Sequence, residues 1–387
     1  MKKVLFALTP AQKLANGSAT YTDFILRQAI KHGKLFDVYY NPQNNSNPEF
    51  TIDILPKTTN VFKCTTLSEV ENLLASNRYD VLFLGSETDS DAKMPKSITP
   101  IITVHDLRYM EVTGDKYRHF YRKSRFGRLK QILLNRFYPM NESNAQKKRI
   151  SKFINHPKLE IVTVSNHTKY SILYHFPHVP EEKIHVFYSP SPGMKEQFNY
   201  REENDFFNKH NIKQKEYFLI ISAGRWFKNS YRAIKAFDHL CTKKAMQNKK
   251  VVVLGVLGSK KIMEVKNKKS FVFIDYVSSE TLQLLLANAF GFIYPSLQEG
   301  FGIPPLDAMQ YGTPVLASAA TAISEVCSYG AHYFNPYSVQ EIENRIMYLL
   351  NDSSFYNSCS ELGRKRRKEL DKIQKANLDK LLSFIFD

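Results

Sequence analysis

Two carboxylates, Glu299 and Asp307, stand eight positions apart around a glycine-rich turn, Glu299-Gly300-Phe301-Gly302-Ile303-Pro304. The chemistry open to this pattern is recognition of a hydroxyl-rich, anionic ligand. Carboxylates accept hydrogen bonds from hydroxyls, and a glycine turn that opens a helix exposes backbone N–H groups favouring an anion. The plainer alternative is a strand–helix turn with a solvated Glu299 and an Asp307 near the helix start, and for the two acids alone that alternative holds. Two further groups widen the pattern. Arg225 and Lys228 lie in Ser222-Ala223-Gly224-Arg225-Trp226-Phe227-Lys228-Asn229, directly after an apolar run. Basic side chains are most often merely solvated, but cations fixed at the end of a strand stabilise an anion. His105, in Val104-His105-Asp106-Leu107, ends another apolar run. An imidazole there hydrogen-bonds a hydroxyl or senses a phosphate.

Such residues need strands to carry them to one edge. Short apolar runs occur at Val4–Leu8, Phe36–Tyr40, Val81–Gly85, Ile101–Val104 and Ile161–Val164. A second series occurs at Phe218–Ser222, Val251–Leu257, Phe271–Ile274, Gly291–Tyr294 and Val315–Ala317. Runs this short and rich in Val, Ile and Phe suit strands buried on both faces. Helical patterns fall between them at Tyr21–Lys31, Thr168–His175, Tyr231–Cys241 and Thr281–Ala289. The alternation predicts parallel sheets built from βαβ units. The pattern breaks over residues 188–216, which are turn-rich and polar, and a fresh series starts at Tyr217. The chain of 387 residues is long enough for two domains of roughly 150–200 residues. We place the first at 1–195 and the second at 196–364, with a C-terminal helix, 365–387, returning to the first. Two successive doubly wound domains leave a cleft at the carboxyl ends of their strands.

The stretch from Pro295 through Glu299, Gly302, Asp307 and Gly312 to Val315 closely resembles the signature of the family 4 retaining glycosyltransferases. That family has the GT-B fold, two Rossmann-like domains facing across a cleft, and binds its donor with a Glu-x7-Glu pair. The second acid here is Asp307, one methylene shorter. The resemblance implies that Glu299 contacts the hydroxyls of the transferred sugar and that Asp307 holds the ribose. It implies that Gly300, Phe301, Gly302 and Ile303 form the turn whose N–H groups face sugar and diphosphate. It extends over most of the chain. The Ser222–Asn229 stretch resembles the family's phosphate-binding loop, which gives Lys228 and Arg225 the donor diphosphate. Phe273-Ile274-Asp275-Tyr276 resembles the loop that cradles the base, and Glu325 matches a common family position. His105 resembles a substrate-contacting histidine, and Gly17 sits where the family has a glycine-rich loop over the phosphates. The stretch from Thr163 to Thr168 resembles a recurrent segment and is read as a strand end and helix cap.

The formal net charge of +17 implies an anionic partner, and nucleic acid, a membrane surface and a phosphorylated ligand compete for that part. Much of it gathers in residues 116–141, which contain no acid. Arg118, Arg122, Lys123, Arg125, Arg128 and Lys130 alternate there with aromatic and aliphatic residues. This mixture suits an interfacial helix on an anionic bilayer, or else an excursion packed on its own domain with a solvated basic face. No nucleic-acid motif accompanies the charge. Cys64, Cys241, Cys327 and Cys359 are scattered, without metal-ligand spacing, which fits a reducing cytosol. Asp89-Ser90-Asp91 imitates a metal-binding D-x-D but sits in a loop-like stretch. We therefore expect neither a metal nor a cofactor beyond the nucleotide sugar.

The expected activity is retaining transfer of a hexose-type sugar from a nucleoside-diphosphate sugar to a hydroxyl of a glycan or lipid-linked acceptor. The expected setting is bacterial surface polysaccharide assembly, at the cytoplasmic face of the cell membrane. A nucleotide-sugar epimerase or a phosphorylase of the same fold is the enzymatic alternative. A non-catalytic, membrane-associated partner subunit is the other.

Overall fold

The computed structural model describes every residue except 1, 13–16, 45, 47–51, 77, 88–90, 192–197, 199 and 257–260, and for 200–204 it describes the backbone alone. The chain divides into two compact units. The first comprises Met1–Met110, Glu142–Pro192 and Lys372–Asp387; the second comprises Glu111–Asn141 and Gly193–Asp371.

The first unit holds a parallel sheet of β1 (Val4–Ala7), β2 (Asp37–Tyr40), β3 (Val61–Lys63), β4 (Val81–Leu84), β5 (Thr99–Val104), β6 (Glu160–Thr163) and β7 (Ile184–Val186). Their order is β3-β2-β1-β4-β5-β6-β7. The second holds β8 (Tyr217–Ile220), β9 (Lys250–Leu254), β10 (Phe271–Ile274), β11 (Gly291–Tyr294), β12 (Val315–Ser318) and β13 (His332–Phe334), ordered β10-β9-β8-β11-β12-β13. Every residue of β1, β4, β8 and β11 is buried, as expected for strands covered by helices on both faces. One core gathers Leu5, Leu82, Ile102 and Ile161. The other gathers Phe218, Phe237, Val251, Ile293 and Leu316.

The apolar pattern passes over β3, β7 and β13. All three are three-residue edge strands. An edge strand is short and half-exposed, so its apolar signal is weak. Two predicted runs also end two or more residues early. β8 stops at Ile220, before Ser222 turns to φ 53°, and β9 stops at Leu254, before Gly255 turns to φ 73°.

The basic excursion differs from its expected place. Residues 111–141 pack with the second unit. Arg232 donates to Asp115 at 2.6 Å, and the Tyr121 hydroxyl accepts from the backbone N–H of Tyr231 at 3.0 Å. Both partners lie more than a hundred positions along the chain, where periodicity carries no information.

In each sheet the strand order turns back on itself once, between β1 and β4 in the first and between β8 and β11 in the second. Doubly wound folds bind ligands at the carboxyl ends of such strand pairs.

Candidate active site

In the second unit the crevice between β8 and β11 is built by two loops. After β8, Ala223 donates its N–H to Leu254 O at 2.9 Å and Gly224 to Gly255 O at 2.6 Å. A Cβ on Gly255 would lie 3.2 Å from the Ser222 Cα, so both its positive φ and this close approach require glycine. A short 3-10 turn, Trp226–Lys228, follows, and buried Asn229 closes it at φ 53°. Asn229 Nδ2 donates to Pro295 O at 3.0 Å and Pro336 O at 2.7 Å, which staples the loop to the segment after β11. The same two segments meet again where Leu297 N–H donates to Phe227 O at 2.7 Å.

The loop after β11 is fixed just as firmly. Ser318 Oγ donates to Ser296 O at 2.5 Å, and the Glu299 N–H donates to Thr321 Oγ1 at 3.0 Å. Thr321 itself sits at φ 50°, ψ −137°. That is a costly conformation for a β-branched residue, of the kind that clusters at functional sites. Gly302, at φ 106°, turns the chain into the helix Ile303–Gln310. Pro304 and Pro305 lack an N–H, so of the helix's four orphan donors only Gly302 and Ile303 remain.

These loops bring Lys228 and Glu299 together. The Lys228 ammonium donates to Glu299 Oε1 at 2.6 Å and to the Tyr294 hydroxyl at 3.0 Å. The lysine and glutamate side chains are 15% and 12% exposed, so the pair is sheltered yet reachable from solvent. Burial, reinforced by the Glu299 carboxylate, pushes the Tyr294 hydroxyl well above its ordinary pKa and keeps it protonated. Arg225 is exposed at the start of the same loop, and its side chain makes no hydrogen bond or ion pair among the described residues. The arrangement offers cations and two backbone N–H groups to an anion, with a carboxylate beside them for hydroxyls.

Asp307 lies one turn into the helix. Its Oδ1 is shielded from solvent without a partner among the described residues. Burial pushes its carboxyl up to about 7, against the pull of Arg367. Arg367 pairs with Asp371 through Nη2 at 2.9 Å, and its buried Nη1, like Asp307 Oδ1, has no partner among the described residues. The Phe301 ring is buried in the unit rather than presented by the turn, and Gly300 is buried beside it. Tyr276 is 80% exposed, past the end of edge strand β10 and two strands from β8. At the usual strand spacing that is roughly 10 Å away. Glu325 lies in the helix Ala322–Cys327, where its carbonyl accepts from Arg366 at 3.2 Å.

The corresponding crevice of the first unit holds His105, just past β5. Its Nε2–H donates to Gly85 O at 2.9 Å, and the Tyr21 ring meets it edge-on at 5.0 Å. Burial lowers the imidazole's pKa more than Gly85 and Asp106 raise it. The ring is therefore neutral near pH 7, with Nδ1 left as an acceptor. It suits a hydroxyl and does not suit a phosphate. Gly17 opens the helix Gly17–Lys31 and is exposed. Asn16 lies outside the described residues, as does Asp89. Asp91 pairs with Lys152 at 2.5 Å. Among the described residues no group of three or more His, Cys, Asp or Glu could hold a metal.

Of the basic residues expected on an outer face, Arg118 is corrected. It is buried within the second unit, with its guanidinium 4.6 Å above the Trp226 ring. Arg122 is exposed but donates to Gln131 Oε1 at 2.9 Å. Lys123, Arg125 and Lys130 are exposed, and Arg128 is half-buried.

Sequence reasoning missed Tyr294 and Thr321 as parts of the β8–β11 site, and it named Asn229 beside Lys228 in the loop motif without a role of its own. It also missed Glu87 in the first unit, whose carboxyl burial pushes up to about 7, helped by the Asp106 charge. An acid just past a fully buried strand was the available signal for Glu87. Tyr294 and Thr321 gave none.

Residues 202–366 match the family model described as Glycosyl transferases group 1. The O-antigen chain mannosyltransferase RfbU of Salmonella typhimurium is 33% identical over 184 residues, 46% of this chain and 46% of the relative. The chain thus spans less than half the length of that relative. Among solved structures, the lipopolysaccharide-biosynthesis glycosyltransferase WaaG superposes with a TM-score of 0.65 at 17% identity, over 99% of both chains. Anabaena Alr3699/HepE in complex with UDP-glucose superposes with a TM-score of 0.68 at 13% identity, over 99% of this chain and 100% of that one. With two parallel-sheet α/β units, these likenesses establish the GT-B fold. Among the described residues no helix is long and apolar enough to cross a membrane.

Proposed function

We propose that the chain, whose residues 202–366 match the Glycosyl transferases group 1 model and whose fold is GT-B, transfers a hexose, of the mannose type, from a nucleoside-diphosphate sugar to a hydroxyl of a glycan or lipid-linked acceptor with retention of configuration. The observation that carries this reading is the sheltered Lys228–Glu299 pair between β8 and β11, inside the matched span. An arriving donor exchanges one interaction for two. Lys228 turns to the diphosphate and Glu299 to the sugar hydroxyls, so neither charge is stranded. Arg225 and the N–H groups of Gly302 and Ile303 add further donors to the phosphate oxygens, where charge develops as the sugar leaves. In the transfer step the bond from C1 to the phosphate oxygen breaks and the acceptor oxygen bonds to C1. The acceptor's proton passes to the leaving phosphate on the same face. The protein acts by positioning and by phosphate-charge stabilisation. The Nδ1 acceptor of His105 is assigned to a substrate hydroxyl. The mannosyl assignment draws support from the RfbU relative, and the nucleotide donor from the HepE complex. These basic groups take the part a divalent cation plays elsewhere, so transfer is expected to persist in chelator. The reading places the work at the cytoplasmic face of the cell membrane, in surface polysaccharide assembly.

Thermal shift against UDP, GDP, dTDP and ADP sugars tests the donor site. One nucleotide should raise the melting temperature progressively with concentration, by about 2.7 kcal/mol of stabilisation at a hundred times its Kd. A folded protein that no nucleoside diphosphate stabilises is a non-catalytic subunit, and the proposal fails. Consumption of donor without acceptor would identify an epimerase instead.

Asp307 gives the site a pH signature. A carboxylate that takes the ribose hydroxyls binds best ionised, and burial raises its carboxyl to about 7. Nucleotide binding therefore favours loss of the Asp307 proton, and affinity rises with pH through about 7. From pH 8 to pH 6 the ionised fraction, and with it the affinity, falls about tenfold. Calorimetric titration checks this, and Asp307→Asn should flatten the slope. An identical slope in the variant removes Asp307 from the ribose.

A further inference from the structure

The helix Arg125–Phe137 is turned inside out. Its one buried residue is the polar Gln131, which accepts from Arg122 at 2.9 Å and donates to Asn135 at 2.9 Å. Its apolar residues Phe126, Leu129, Leu133 and Phe137 are 77%, 56%, 48% and 63% exposed. Their spacing of three, four and four positions puts them on one face as a continuous stripe. Arg125 and Arg136 border it on one side and Lys130 on the other. A surface helix ordinarily buries its apolar face, so this stripe is waiting for a cover.

The charge pattern decides what covers it. Residues 116–141 contain no Asp or Glu. A second copy laid on the stripe would set Arg125, Lys130 and Arg136 against their own duplicates. An anionic bilayer supplies both requirements at once, with acyl chains for the stripe and headgroups for its cationic borders. We infer that the Arg125–Phe137 helix docks the chain on an anionic membrane surface, lying in the interface plane. The excursion that bears it is fastened to the turn that bears Lys228. Arg118 stacks on Trp226, and the Tyr121 hydroxyl accepts from Tyr231. Docking thus sets the height of the Lys228–Glu299 crevice above the headgroups. The inference is independent of the transferase reading, because vesicle binding is measured without donor.

The test is co-sedimentation of the full chain with phosphatidylcholine vesicles, with and without phosphatidylglycerol. The unmodified chain should bind the anionic vesicles and lose binding as salt is raised. Two variants, Phe126→Ser with Leu133→Ser, and Arg125→Glu with Lys130→Glu and Arg136→Glu, should each reduce partitioning at least about tenfold and keep the melting temperature. Failure to bind anionic vesicles, or binding by either variant equal to that of the unmodified chain, overturns it. So does a dimer in sedimentation velocity that Phe126→Ser with Leu133→Ser dissolves, because a second copy would then be the cover. Nucleotide-induced stabilisation, read separately, reports on the donor site whatever the vesicles do.

Discussion

Glu299→Gln lowers the turnover of glycosyl transfer by about two to three orders of magnitude, the scale of losing one preorganised polar group at a site of developing charge. The amide keeps the shape and one acceptor but removes the charge that opposes Lys228 across 2.6 Å. Glu299→Ala does more, because it strands Lys228. A sheltered cation without its partner costs about 3–5 kcal/mol when fully buried; residual exposure on both sides of this pair puts the expected cost at the lower end. Lys228→Met combined with Glu299→Gln separates the two effects. Removing both charges together should recover most of the melting temperature and none of the turnover. A Glu299→Gln enzyme with near-normal transfer would remove Glu299 from the reaction.

Arg232→Met is expected to destabilise the second unit by about 3–5 kcal/mol, roughly 10 °C in melting temperature. Arg232 and Asp115 are 3% and 5% exposed and meet at 2.6 Å. The same guanidinium donates to Asn229 Oδ1 at 2.8 Å and lies against the Tyr117 and Tyr337 rings at 4.7 and 5.2 Å. Its loss leaves the buried Asp115 carboxylate with the Tyr117 N–H but no counter-charge, and the Asn229 amide oxygen without its donor. It also loosens two things at once, the basic excursion and the Asn229 staple that holds the Lys228 loop. Urea unfolding measures the first effect, and transfer kinetics the second. Asp115→Asn added to Arg232→Met should return part of the stability, because it removes the stranded charge. A cost below about 1 kcal/mol would show that the pair gains little beyond its own desolvation.

Much of the frame could be read from local pattern. The strands that flank both crevices are continuous apolar runs, since burial on two faces leaves no room for alternation. The edge strands Val61–Lys63, Ile184–Val186 and His332–Phe334 could not be read, because partial exposure erases that signal. Glu299, Lys228 and Gly302 were legible because charge or conformational freedom at a strand's carboxyl end is itself unusual. Tyr294 was hidden as one more aromatic in a buried strand, and Thr321 as one more loop threonine.

The amino-acid sequence alone determined which residues carry charge, where the buried strands lie, and that 116–141 is basic, aromatic and free of acids. Those properties are local, written in residue types and spacings of a few positions. Tertiary structure decided the rest. It joined Lys228 to Glu299 and held Asp307 Oδ1 without a partner among the described residues. It gave residues 111–141 to the second unit and buried Arg118 on Trp226. It turned the polar face of the Arg125–Phe137 helix inward and its apolar stripe outward. Each of these depends on pairs separated by tens to more than a hundred positions, or on which face of a helix finds a neighbour. A one-dimensional pattern shows that a helix has two faces; only packing decides which one is covered.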